Sequence, residues 1–388
     1  MPDTWNLRAV GHSDLAGSGD GMHVQLKDGY AYVGHMGEAG TSILDVRDPS
    51  APRFVRRIPS APNTHAHKVQ IQGDLMLTNR ELIPRKSPPH EAGLAIHDIS
   101  DPGNPRRIGW WGCGGLGVHR MTFWDGPLAY LSAGDDDWDE QFLVILDLSD
   151  PARPREAGRW WFSGQRHGEE RSWGDDWRVK LHHAIVRDGL AYGGYWDQGV
   201  VVLDVRDPST PSLVAHLQLG HDVAQATHTF CPLPGRNVAV TTEERIPPAC
   251  PGVAPNVRLI DIADPAAPRV ISVFPAPKGD FCDRGGRFGP HNIHEPKPGT
   301  LIDGDTVYLT YFNAGLRVFD VHDPTAPTEI AYYVPDPPAG QPAPQLNDVL
   351  VGPDGLIYVT DRLGGGLHIL ELSAGAAAAR PRRTETPG

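Results

Sequence analysis

The sequence predicts an all-β, seven-bladed propeller, and three observations predict it. A phrase made of an apolar β-branched run, Asp, then Asp-Pro-x-x-Pro recurs six times: SILDVRDPSAP from Ser42, LAIHDISDPGNP from Leu94, LVILDLSDPARP from Leu143, VVVLDVRDPSTP from Val201, VRLIDIADPAAP from Val257 and LRVFDVHDPTAP from Leu316. A final LHILEL from Leu367 keeps the strand and drops the turn. The period is near fifty residues, which is that of a repeat built from four short strands.

A second phrase precedes each copy of the first. It has a His-bearing start, an apolar alternation, a tight polar turn and an apolar return, as in HRMTFWDGPLAYLS from His119 and HHAIVRDGLAYGG from His182. Asp-Gly between alternating apolar residues is a hairpin signal, so this phrase supplies strands A and B of a blade. The first phrase supplies strand C, and Asp-Pro-x-x-Pro supplies the C–D turn, because Pro presets φ while Asp can accept from the turn's amides. Segments such as RFVRRI, SLVAHL and RVISVF are strand D. Blades are expected at about 22–63, 64–117, 118–178, 179–226, 227–289, 290–345 and 346–374. The last lacks a strand D, and the N-terminal WNLRAV is a spare strand that could fill it and close the ring. One propeller over 1–374 with a disordered Ala/Arg/Pro tail at 375–388 is the domain reading.

On these phrases the chain resembles the LVIVD-repeat β-propellers. The resemblance implies the fold and little about activity, since that family is defined largely by its repeat.

Composition narrows the function classes. A net charge of −13 with no basic stripe disfavours nucleic acid and anionic membranes as partners. No stretch reaches membrane-spanning length and no signal-like N-terminus is present, so a cytoplasmic protein is expected, with the oligomeric state open. Four cysteines without CxxC spacing are expected to be reduced thiols.

The strongest functional signal is the A-strand start. Aligned on the A–B turn, five blades place His67, His119, His182, His228 and His291 at equivalent positions, where propeller packing does not demand imidazole. His183 falls one residue out of phase and is expected to face the sheet interior, unless a slip exchanges it with His182; His65 and His294 lie close enough to take part. Neutral imidazole is the commonest ligand for Fe, Mn, Zn and Cu, so one transition metal held by about four of the five is expected, with Fe(II) preferred.

The B–C loops of the same face carry Glu81, Glu244, Tyr195 and Arg245 as candidate catalytic groups, and Arg80, Trp196, Arg362 and Asn313 as candidate substrate contacts. Glu81, Glu244, Glu295 and Asp348 are expected to orient the histidines through their second ring nitrogens. Inserts at 82–93, 163–178, 246–256 and 275–290 are long enough to wall a pocket, with Trp173, Trp177, Trp196 and Phe288 as apolar surfaces. A small-molecule substrate fits this pattern. Nitrogen ligation favours a non-haem iron oxygenase, and the arginines favour a Mn- or Zn-dependent lyase or hydrolase. The arrangement is similar to the carotenoid-cleavage oxygenases in architecture only. A non-catalytic interaction propeller is the remaining class, and it leaves the histidines unexplained.

Overall fold

The computed structural model describes residues 2–221, 225–252 and 254–373, and within them the chain is a ring of seven four-stranded antiparallel blades with no helix. The expected tail at 375–388 lies outside the described residues. The blades follow the strand assignment read from the repeats, except that strand A of the sixth is reduced to the single bridge Ile293–Leu309; the first, for instance, pairs Gly21–Lys27, Tyr30–His35, Thr41–Asp45 and Arg53–Ile58 in that order. Strands B and C are apolar on both faces because each is covered by the neighbouring blade. Tyr32, Val33, Ile43 and Leu44 are fully buried.

The repeated phrase works as expected. In Asp-x-x-Asp-Pro both carboxylates accept from turn amides two residues on: Asp45 from Arg47 N at 3.1 Å and Asp48 from Ser50 N at 3.0 Å, and likewise Asp204 from Arg206 N and Asp207 from Ser209 N at 3.0 and 2.9 Å. The turn also locks adjacent blades. A Cβ on Gly109 or Gly158, in strand D, would lie 1.9 or 2.1 Å from the carbonyl oxygen of Pro151 or Pro208, the Asp-Pro proline of the next blade. Only glycine allows that approach.

Ring closure is by the N-terminal strand. Leu7–Ser13 pairs with Gly366–Leu372 as the outer strand of the seventh blade, in register from Leu7 opposite Leu372 to Ser13 opposite Leu367. The preceding Asp3–Trp5 adds a further outer strand to the sixth blade beside Thr328–Val334. The N-terminal segment thus ties blades six and seven together.

One expectation fails. Cys250 and Cys282 form a disulfide between the 246–256 and 275–290 inserts, while Cys113 and Cys231 remain thiols. The spacing showed no pairing because the two cysteines sit in separate inserts of the fifth blade, one after its second strand and one after its fourth, and only the folded blade brings those inserts together. The thiol argument for a cytoplasmic location falls with it. Among the described residues, no helix is long and apolar enough to cross a membrane.

Candidate functional site

The A strands meet on the axis, and four of them begin with a β-bulge. The register shifts between Gly21 and His23, Val118 and Arg120, Thr227 and Thr229, and Leu346 and Asp348, so Met22, His119, His228 and Asn347 are the extra residues. A bulge re-aims a side chain next to a site. Here it allows two successive residues per blade to face the channel, producing two stacked rings. The upper ring is Met22, His67, His119, His182, His228, His291 and Asn347; the lower is His23, Lys68, Arg120, His183, Thr229, Asn292 and Asp348.

In the upper ring the five imidazoles lie side by side. Neighbouring imidazole centroids lie 5.0 Å apart for His67 and His119, 4.7 Å for His119 and His182, 3.5 Å for His182 and His228, and 4.4 Å for His228 and His291. His65 extends the arc, 4.0 Å from His67. His182 is the axial member of its pair. His183 bonds Thr122 Oγ1 at 2.9 Å and lies 3.3 Å from Glu295 in the layer below. His294 is held by the backbone, facing Leu301 O at 2.9 Å and accepting from Val351 N at 3.2 Å.

The donors do not form one four-histidine cage. Among the described residues, ligand atoms within 4.8 Å of one another fall into two groups, His65–His67–Glu81 and His228–Glu244–His291. The groups differ in their protons. At the first, Glu81 is filled: it accepts from His119 Nδ1 at 2.9 Å and Gln141 Nε2 at 2.9 Å, and faces His65 Nε2 at 3.0 Å. Burial alone would raise the Glu81 carboxyl, but His119 and His65 more than reverse this and hold it well below the usual carboxylate range. His65 has oxygen partners at both nitrogens, Met36 O at 3.1 Å being the second, so neither ring nitrogen is open. The Asn79 amide is oriented by two backbone bonds, Lys68 N donating to Oδ1 and Nδ2 donating to Val118 O, both at 2.8 Å. Its Nδ2 therefore donates to His67 Nδ1 at 3.0 Å, which leaves the ring proton of neutral His67 on Nε2.

At the second group the nitrogens are open. His291 Nδ1 lies 2.6 Å from Asn347 O and must donate to it, so Nε2 carries the lone pair, 3.7 Å from Glu244 Oε1. His228 Nε2 is buried with no hydrogen-bond partner and lies 3.9 Å from Glu244 Oε2. Glu244 is steadied by Arg287 Nη1 at 2.6 Å. Burial pushes the His182, His228 and His291 imidazoles well below their ordinary value, so all three are neutral. Two neutral nitrogens and a carboxylate are the donor set of a two-histidine-one-carboxylate site.

The rings floor a cavity of about 500 Å³. The inserts wall it as expected through Ile83, Pro84, Arg85, Arg178, Ile246 and Arg287, and Trp196 and Arg362 line it too. Trp196 supports Arg178 and Lys180 over its ring at 4.6 and 4.7 Å.

Other expected residues are elsewhere. Strand alternation turns Arg80 and Arg245 away from the channel as Glu81 and Glu244 turn in; Arg80 bonds Glu91 at 3.1 Å, and Arg245 bonds the Pro251 carbonyl of its own insert. Tyr195 is fully buried against Trp160 and Phe162 with its hydroxyl on Gln165, and burial raises its pKa further, so it holds its proton. Asn313 clamps the 275–290 insert through Phe281 O and Gly285 O at 2.7 and 2.9 Å. Trp173, Trp177 and Phe288 pack on Phe162, His221 and Phe281 respectively. Glu295 pairs with Arg120 and Asp348 accepts from Val24 N at 2.9 Å, both in the lower ring's layer rather than behind the histidines.

Sequence reasoning missed Lys68, Arg178, Lys180 and Arg287. Lys68 and Arg120 directly follow ring histidines, a signal that was available; period-2 alternation hid it, because the bulges that cancel the alternation leave no mark in the sequence.

Comparison with known proteins supports the fold. LVIVD repeats match residues 18–58, 137–160, 185–218 and 301–334, so the chain carries that repeat in four stretches. The Cps50 (Swd1) β-propeller domain of Myceliophteria thermophila is similar over 96% of this chain and 99% of its own, at 10% identity and a TM-score of 0.58. U3-55K is similar over 96% and 100%, at 10% identity and a TM-score of 0.60. The N-terminal domain of Nup159 is similar over 96% of each chain, at 10% identity and a TM-score of 0.57. At such identity the likeness concerns the fold alone. No curated protein matches the chain.

Proposed function

We propose that the protein is a metal-dependent enzyme acting on a small anionic organic substrate, with the metal held by His228, His291 and Glu244. The observation that carries the proposal is the proton arrangement there: one imidazole forced to present a lone pair, one buried nitrogen without a partner, and one carboxylate, all facing the same space. This donor set suits ferrous iron and leaves positions open, which favours a non-haem iron oxygenase. When bound, the metal would supply Lewis acidity and, for iron, access to dioxygen. His182, 3.5 Å from His228, is placed to bond a ligand at that centre. Six cationic side chains line the cavity against three carboxylates, in a molecule of net charge −13. An anionic substrate would be drawn to that local excess.

The same cationic lining supports a second reading, a Mn- or Zn-dependent lyase or hydrolase polarising a carboxylate or carbonyl. A non-catalytic interaction propeller draws support from the neighbours, one of which is described as Dbp5 bound to Nup159. Elemental analysis of untagged protein, followed by anaerobic reconstitution with ferrous iron and exposure to oxygen with aromatic or aliphatic acids, tests the proposal. Stoichiometric iron and substrate-dependent oxygen uptake are expected. Turnover without oxygen, or with zinc alone, transfers the assignment to the lyase or hydrolase, and absence of bound metal from wild-type protein rejects a metal enzyme.

A further inference from the structure

The lower ring holds a cation that nothing nearby neutralises. Lys68 is 2% exposed and lines the floor of the cavity. Its ammonium makes no hydrogen bond and no close ion pair among the described residues; Asp348, Glu244 and Glu295 act on it only from a distance. It lines the same cavity as His67, His119, His182 and His291. The other lower cations are engaged: Arg120 on Glu295 and on Asn292 Oδ1 at 2.8 Å, and Lys297 on Gln70 Oε1 at 2.8 Å.

A buried charge without a partner is costly and persists where something else compensates it. A metal on the axis would add to the repulsion; an anion would remove it. We propose that the floor of the histidine-lined cavity is an oxyanion subsite, in which Lys68 Nζ receives the carboxylate or phosphate of a small ligand beneath the arc. The inference deepens the anionic-substrate reading and rests on it. The ligand's anionic end would point down the axis, leaving its body level with His228, His291 and Trp196.

The test uses chelator-treated full-length protein, so the result does not depend on any metal. Wild type, Lys68→Met and the surface control Arg153→Met are compared by calorimetry and thermal melting with malonate and with inorganic phosphate at constant ionic strength. Wild type should bind and melt higher as either anion is added, the tighter of the two identifying the headgroup as carboxylate or phosphate. Lys68→Met should melt no lower than wild type without anion, because two cations then face two carboxylates in the layer, and should lose about 10- to 100-fold in anion affinity. Arg153→Met, outside the cavity, should bind as wild type does. The proposal is overturned if wild type binds neither anion, if Lys68→Met binds as well as wild type, or if it melts lower without anion, since the charge would then serve the fold. Failure of the metal reading would appear separately, as wild-type protein that retains no metal yet shows the Lys68-dependent anion response.

Discussion

The two ends of the histidine arc are built from the same residue types, yet they are chemically opposite. At one end Glu81 collects donors from His119, His65 and Gln141 and is saturated. At the other, Glu244 has Arg287 on one oxygen and faces His291 Nε2, which carries no proton toward it, and His228 Nε2, which has no hydrogen-bond partner. The difference lies in what stands behind each ring. Asn79 donates to His67 and so pushes the proton of its ring inward, whereas the Asn347 carbonyl accepts from His291 and draws the proton outward. Ligand capacity is therefore decided by the partners of the far nitrogen rather than by the number of histidines.

The largest effect should come from opening the ring. Deleting residues 1–13 removes the outer strand of the seventh blade, on whose inner strand Asn347 holds His291. Loss of the cooperative melting transition is expected, and an unchanged transition would refute closure by that strand.

Acid should reveal the fold's own background, against which the two ends must be read. His97, His294 and His368 are held by burial near about 3, about 4 and about 3, below the ordinary 6.5. Folded-state values below the unfolded one mean that their contribution is complete above pH 6.5 and is lost as pH falls from there toward 4 to 3. Urea melts between pH 7 and 5 should show stability falling by up to about 1.4 kcal/mol per pH unit for each. Flat stability across that range would contradict their neutral burial.

Metal content separates the ends directly. His228→Ala with His291→Ala should remove stoichiometric metal while the fold persists, and His65→Ala with His67→Ala should retain it. The reverse pattern, read by elemental analysis, would exchange the roles of the two ends.

Stability should separate them in the opposite sense. Glu81→Gln removes the carboxylate that His119, His65 and Gln141 share and should cost about 3 kcal/mol, against about 1 kcal/mol for Glu244→Gln. Equal losses in denaturant melts would mean that Glu81 is no more saturated than Glu244.

The smallest change concerns the disulfide, which closes a separation of 32 residues beside the Glu244 end. Ala249 N donates to Gly286 O at 2.8 Å next to Arg287, so the bridge helps to hold that arginine on Glu244. Cys250→Ser with Cys282→Ser should lower stability by about 3 kcal/mol and weaken metal binding several-fold, with the Glu81 network unchanged. Unaltered metal affinity would show that Arg287 needs no such support.

The architecture was legible in the chain because a repeat writes the same local physics seven times. Asp-Gly hairpins, Asp-Pro turns and apolar strands each act within a few residues, and their period implies the ring. The convergence of His67, His119, His182, His228 and His291 was legible for the same reason, being one position of the repeat. Arg80, Arg245, Tyr195 and Asn313 were misplaced because adjacency in a loop says nothing about which face a side chain takes. Only the tertiary structure determined the bulge at His119 that turns Arg120 onto the axis, the Cys250–Cys282 bridge between two inserts of the fifth blade, and the proton positions on His67 and His291. Those features depend on partners tens or hundreds of residues away, such as Asn347 for His291, and distance in space is not written in sequence order.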